Sequence, residues 1–168
     1  MALLAKIVTV SDSVSKGEAE DRSGAVLATC LEGAGFEIVE RRCTPDGVDS
    51  VAAALRELAT GFVGLIVTTG GTGFGPRDLT PEGTRAVIDR EAPGIAEAMR
   101  LCDPLGRLSR SIAGTVGQTL VLNTPGSPRG AVQCVEAVLD VIPHALALLR
   151  GENPHPHHEH GGSDSAAS

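Results

Sequence analysis

Aromatic residues are nearly missing from this chain, which has three Phe, no Trp and no Tyr among 168 residues. A single-strand nucleic-acid platform, which stacks bases on aromatic rings, has nothing to be built from. Basic charge is also short. Fourteen Lys and Arg stand against 21 Asp and Glu, and the formal net charge of -7 has the wrong sign for a phosphate-backbone binder. No apolar run approaches the roughly 20 residues that cross a bilayer, so neither a membrane helix nor a membrane partner is expected. The N-terminal Met1-Ala-Leu-Leu-Ala-Lys-Ile-Val-Thr-Val holds its Lys inside the apolar stretch and lacks a small-residue cleavage site. It reads as a strand rather than a signal peptide. Cys30, Cys43, Cys102 and Cys134 include no close pair in sequence of the kind that binds zinc or carries redox chemistry, and they read as free thiols in a reducing cytoplasm.

What is present is an ordinary globular balance, 42% hydrophobic and 21% charged. Leu3 to Val10 is apolar and β-branched and empties into the polar stretch Ser11 to Gly24, read as a loop. From Ala25, the positions Val26, Leu27, Cys30, Leu31 and Ala34 recur at helical spacing until Gly33 and Gly35 end the pattern. Phe36 to Thr44 alternates as a strand, and Val48, Val51, Ala52, Leu55, Leu58 and Ala59 form a second helical stripe. Gly64-Leu-Ile-Val-Thr-Thr69 is a continuous apolar run, the mark of a parallel strand covered on both faces. It opens into a glycine loop, after which Thr80 reads as the N-cap of a helix with Pro81 at its first position. Pro93-Gly94 is expected to break that helix and Ile95 to Leu101 to resume it. Thr119 to Asn123 reads as another strand, and the apolar helical region ending at Leu149 is expected to bend or break near Pro143. The alternation predicts an α/β fold, a three-layer α/β/α sandwich around a mostly parallel sheet, over residues 1–150. Residues 151–168, with His155-Pro-His-His-Glu-His160, lose apolar periodicity and read as a disordered tail, either a metal scavenger or a processing remnant.

In an open α/β sheet, ligands bind beyond the carboxyl ends of the strands. Three loops here leave such ends, at Ser11, Gly70 and Asn123, and all are rich in Gly, Ser, Thr and Asn. The strongest local signal is Thr68-Thr69-Gly70-Gly71-Thr72-Gly73 followed by Arg77-Asp78-Leu-Thr-Pro-Glu82. Glycines let backbone N–H groups approach a phosphate, and a helix N-terminus just downstream adds positive potential. Asp78 is suited to hold Mg²⁺, and Arg77 to neutralise a further anionic oxygen. The plain alternative is a strand-to-helix turn in which Asp78 caps or pairs. The phosphate-loop fingerprint G-x-x-x-x-G-K-[ST] is absent, and G-x-G-x-x-G is not completed because Pro76 takes its last glycine's place. Asp46, in Thr44-Pro-Asp-Gly-Val, stands between a strand and a helix, where it aims a second carboxylate into the cleft or serves as a turn residue. Asp12, Asp21 and Arg22 read locally as solvated loop charges, and His144 as structural.

Taken together, Val10-Ser-Asp-Ser, Thr68-Thr-Gly-Gly-Thr-Gly with Arg77-Asp-Leu-Thr-Pro-Glu, Leu108-Ser-Arg and Leu122-Asn-Thr-Pro-Gly-Ser-Pro occur in an order that resembles the molybdenum-cofactor biosynthesis family, in particular its small single-domain molybdopterin adenylyltransferase branch. The resemblance spans Leu3 to Arg150. It implies a homotrimer that uses Mg²⁺, ATP and molybdopterin, the terminal phosphate of molybdopterin attacking the α-phosphorus of ATP and releasing pyrophosphate. Carried over by position, Asp46 and Asp78 match two aspartates that the family needs for catalysis and metal binding. Ser11 and Asp12 would border the cleft, and Thr69, Gly70, Gly71, Thr72, Gly73 and Arg77 would cradle phosphate. Ser109 and Arg110 match a pair that contacts anionic ligand, and Asn123, Pro125, Gly126 and Ser127 would form the opposite wall. Ala19 stands where relatives often carry an aromatic residue. A non-catalytic molybdopterin carrier of the same pathway and a general nucleotide hydrolase are the alternative readings.

Overall fold

The computed structural model describes residues 1–152. The predicted His-rich tail falls outside the described residues, apart from Gly151 and Glu152. Six strands form one sheet: β1 (Leu3–Val10), β2 (Phe36–Thr44), β3 (Gly64–Thr69), β4 (Arg90–Glu91), β5 (Ala113–Val116) and β6 (Thr119–Thr124). Their order is β2-β1-β3-β6-β5-β4. The four long strands are parallel, and β5 and β4 add an antiparallel edge.

Alternation along the parallel strands separates two apolar layers. Ala5 and Ile7 of β1, Leu65 and Val67 of β3, and Leu120 and Leu122 of β6 face one layer, built with α2 (Arg22–Gly33), α5 (Pro93–Leu101), α6 (Pro128–Glu136) and α7 (Ile142–Leu149). Val8, Val10, Ile66 and Val121 face the other, against Val51, Leu55 and Leu58 of α3 (Val48–Ala59). A further helix, α4 (Thr80–Arg85), packs on α3 so closely that a Cβ on Gly83 would lie 2.7 Å from Val51 Cβ. Both faces of β3 are covered, as its unbroken apolar run predicts. Each fully buried Leu or Ile contributes about 1.5–3 kcal/mol, so two such layers supply most of the force holding the sheet. The expected three-layer sandwich is the observed one.

Four local expectations are corrected, and two short strands are added. The polar stretch after β1 is not all loop, because a short helix, α1 (Asp12–Ser15), starts there with Ser11 as its cap. α2 begins at Arg22 rather than Ala25, since the Asp21 carboxylate accepts from Gly24 N at 3.0 Å and caps it. Thr80 is not an N-cap: its hydroxyl donates to the Gly70 carbonyl at 2.8 Å, and Leu79 takes the cap position without a side-chain bond. Pro93 starts α5 instead of interrupting a helix, because α4 ends at Arg85 and β4 intervenes. Sequence reading assigns neither β4 nor β5: β4 has only two positions paired with β5, and β5 is held in turn by β6. The break near Pro143 is present, with α6 ending at Glu136 and α7 starting at Ile142.

Candidate functional site

The register of the parallel strands decides which loops meet. Val10 lies beside Thr44, Thr9 beside Thr69, and Thr69 beside Thr124, so β1, β2, β3 and β6 end level with one another. The chain moves from β1 outward to β2 and then returns to β3 on the other side. The site therefore occupies the switch point of the sheet, where loops diverge and leave a crevice.

The glycine loop is pinned from both sides. Gly70 and Gly71 take φ values of +104° and +66°, a region that side-chain-bearing residues rarely adopt. Gly70 N donates to Thr124 O at 3.1 Å, and Thr80 N donates to Gly71 O at 3.0 Å. Beyond the turn, Arg110 closes the loop: its Nε donates to Gly73 O at 2.8 Å, its other nitrogens reach the Glu82 carboxylate and the Asp78 carbonyl, and its backbone N–H donates to Thr72 O at 2.8 Å. That guanidinium also holds the Glu82 carboxyl below the usual carboxylate range. Ser109 Oγ lies 3.3 Å from Thr72 Oγ1. Ser109 and Arg110 thus brace the cradle with the groups that sequence reading assigns to ligand.

The two candidate catalytic carboxylates flank this loop. Asp78 Oδ2 accepts from Gly75 N at 2.9 Å, and a Cβ on either Gly73 or Gly75 would lie 2.9 Å from the same oxygen, so both glycines are needed for the carboxylate to lie flat against the turn. Asp46 Oδ2 accepts from Asp12 N at 2.9 Å, while its Oδ1 lies where a Cβ on Gly71 would come within 3.2 Å. Burial raises the Asp46 carboxyl above its ordinary value, and the charges of Asp12 and Asp78 add to that rise. Asp12 is held below its ordinary value by hydrogen bonding from Arg77, which donates to it through Nε and Nη2, each at 3.0 Å.

Two cavities open on this edge. The larger, about 690 Å³, is bordered by Thr72, Leu105, Ser109, Pro125, Ser127 and Arg129; the smaller, about 480 Å³, by Ser11, Asp21, Asp46, Thr69 and Gly70. They share Gly71, Asp78 and Gly126, so one carboxylate and two glycines from different loops serve both. Of the wall residues read from sequence, Pro125, Gly126 and Ser127 line the larger cavity. Asn123 does not belong to it and is corrected to an interior residue. Fully buried, it donates through Nδ2 to Thr68 Oγ1 and Thr84 Oγ1, both at 2.9 Å, and accepts from Ile112 N at 3.3 Å. The Thr69 hydroxyl is likewise spent, donating to Pro125 O at 2.8 Å. Ser11 and Ser127 cap α1 and α6, accepting from Val14 N at 3.3 Å and Gly130 N at 3.2 Å.

Sequence reading missed Arg129. It stands in the first turn of α6, exposed and in the wall of the larger cavity, with no salt bridge among the described residues. The signal was its place directly after Ser127-Pro128 at a helix start. It also missed the Cys102–Cys134 pair, whose sulfurs lie 3.8 Å apart in that wall. The Cys134 thiol is pushed up to about 12, first by burial and then by Cys102, whereas Cys43 is exposed. In the native protein, iodoacetamide is expected to alkylate Cys43 well before Cys134, read by peptide mass spectrometry; equal labelling would mean that the α5–α6 contact opens.

Residues 6–144 match the family described as "Probable molybdopterin binding domain". The chain belongs to that family. It is 35% identical over 152 residues to the molybdopterin adenylyltransferase of Helicobacter pylori strain J99, covering 86% of each chain. It is 37% identical over 150 residues to a molybdenum cofactor biosynthesis bifunctional protein of Chlorobaculum tepidum, covering 87% of this chain and 48% of that protein, so it spans about half the length of that relative. Among solved structures, the molybdopterin biosynthesis enzyme MoaB of Thermus thermophilus superposes with a TM-score of 0.84 at 46% identity, over 89% of this chain and 98% of that one. No helix among the described residues is long and apolar enough to cross a membrane.

Proposed function

We propose that this chain is a molybdopterin adenylyltransferase that moves AMP from ATP to the terminal phosphate of molybdopterin and releases pyrophosphate. The observation that carries this reading is the pair of cavities meeting at Gly71, Gly126 and Asp78. A carrier needs one cavity. A transferase must bring two anionic ligands to a common point, and here the common point is a carboxylate beside a glycine turn. Kinship with named adenylyltransferases of similar length supports the same conclusion.

The reaction forms a bond between a terminal phosphate oxygen of molybdopterin and the α-phosphorus of ATP, and breaks the bond from that phosphorus to the bridging oxygen of pyrophosphate. No covalent enzyme intermediate is required; positioning and charge stabilisation suffice. The donor set fits Mg²⁺, a hard cation that takes carboxylate and phosphate oxygens. Asp46 and Asp78 would hold it, since Oδ1 of each makes no hydrogen bond among the described residues and both carboxylates border the smaller cavity. When bound, the ion offsets the charge that gathers on the leaving pyrophosphate. The backbone of Gly70 to Gly73 cradles phosphate, and Arg129 at the start of α6 offers a cation to the ligand in the larger cavity. The same reading carries a homotrimeric assembly. Leu101, Leu105 and Leu108, exposed at 75, 72 and 57%, provide apolar surface of the kind that assembly covers.

Purified protein incubated with molybdopterin, ATP and Mg²⁺ is expected to yield adenylylated molybdopterin and pyrophosphate, both read by mass spectrometry. Bound but unmodified pterin would select the carrier reading instead. ATP cleavage without pterin would select a hydrolase.

A further inference from the structure

Sequence reading places Asp12 and Arg77 among the ligand contacts, yet in the structure both are committed to other partners. Asp12 and Asp46 bond reciprocally across two loops that are far apart in sequence: Asp12 N donates to Asp46 Oδ2 at 2.9 Å, and Asp46 N donates to Asp12 Oδ1 at 3.1 Å. Arg77, from the glycine loop, then lies across the pair. Its Nε and Nη2 hold both Asp12 oxygens at 3.0 Å, and Nη2 also donates to the Asp46 carbonyl at 2.9 Å. Three loops are joined by five hydrogen bonds. An isolated surface ion pair contributes little, but a two-pronged guanidinium–carboxylate contact inside a network is the geometry that fixes orientation.

From this geometry we infer that Asp12 is a positioning residue for Asp46, with Arg77 as its fastener, and that neither is a ligand contact. The inference rests on the adenylyltransferase reading for the role of Asp46. The clasp occupies Oδ2 of Asp46 and its backbone N–H and C=O groups, which leaves Oδ1 beside Gly71. The Arg77 charge is already matched by Asp12, whereas Arg129 and Arg100 in the wall of the larger cavity make no salt bridge among the described residues.

Two measurements test it. In steady-state assays, Asp12→Ala and Arg77→Ala are each expected to lower kcat by about 10- to 100-fold with KM for ATP and for molybdopterin within about twofold of wild type, as for loss of positioning rather than of binding. The double variant should fall by clearly less than the product of the two single losses, because Asp12 and Arg77 hold Asp46 through one connected network. A tenfold rise in KM for ATP in Arg77→Ala at unchanged kcat would make Arg77 a phosphate contact and overturn the inference, as would additive losses. Independently of turnover, the Asp46 amide proton should exchange with solvent at least about tenfold faster in Asp12→Ala than in wild type, and Asp12→Asn, which keeps an acceptor oxygen, should restore protection. Unchanged exchange in Asp12→Ala would show that the clasp does not hold Asp46. Wild-type protein that transfers no adenylate would sink the functional reading alone, and the exchange comparison would still decide the clasp.

Discussion

Replacing Asp78 by Asn is expected to lower adenylyl transfer on the order of a thousandfold, about 4 kcal/mol of transition-state stabilisation, while leaving the fold intact. The substitution preserves shape and keeps an amide oxygen able to accept from Gly75 N, the bond that Asp78 Oδ2 makes at 2.9 Å. What it removes is the negative charge at the point shared by the two cavities. On the proposed reaction two phosphates meet there with a cation between them, and a neutral amide would hold Mg²⁺ poorly. The loss should fall on kcat, because charge builds on the leaving pyrophosphate only as the reaction proceeds. Single-turnover adenylylation, with circular dichroism and melting temperature as fold controls, reads the effect. A variant within tenfold of wild type would overturn the proposed role of Asp78 in holding Mg²⁺.

Much of this was legible in the chain because its main signals are local. The apolar run Gly64 to Thr69 followed by paired glycines announces a buried strand opening into a turn, and the Val51-Leu55-Leu58 stripe announces the helix that covers it. What local pattern does not carry is which strand ends lie side by side. Asp46 and Asp12 are 34 positions apart, and only the parallel pairing of Val10 with Thr44 brings their loops into contact. Polar residues misled for the same reason. Asn123, beside the turn-forming Thr-Pro-Gly, looks like the first residue of a binding loop, but it is still within β6 and its amide is consumed by Thr68 and Thr84 from neighbouring elements. Thr80 has the composition of a helix cap, yet Gly70 offers its hydroxyl a carbonyl at 2.8 Å. Arg110 looks like an anion contact from sequence, and in the structure its guanidinium closes the glycine loop. In each case a tertiary partner outcompetes the local one.

The glycine turn is also where the largest stability effect is expected. Gly70→Ala should destabilise the protein by about 3–5 kcal/mol, combining backbone strain at a left-handed position with overpacking. At φ +104° the added Cβ would lie 2.3 Å from the Val10 carbonyl oxygen, and that atom belongs to the backbone of a central strand, where no side chain can swing aside. Gly17 supplies the control. Its φ is +75°, but nothing lies within 4 Å of a Cβ there, so Gly17→Ala should cost only the strain, about 1 kcal/mol. For a chain of this size the two values correspond to falls in melting temperature of about 10–15 °C and about 3 °C. Thermal unfolding of both variants reads the difference. Equal falls would mean that the close approach of Gly70 to Val10 contributes nothing, and that the turn is held by its φ values alone. A large fall confined to Gly70→Ala would tie the glycine turn to the end of β1, because the contact that shapes the turn would then be one that the sheet needs to remain folded.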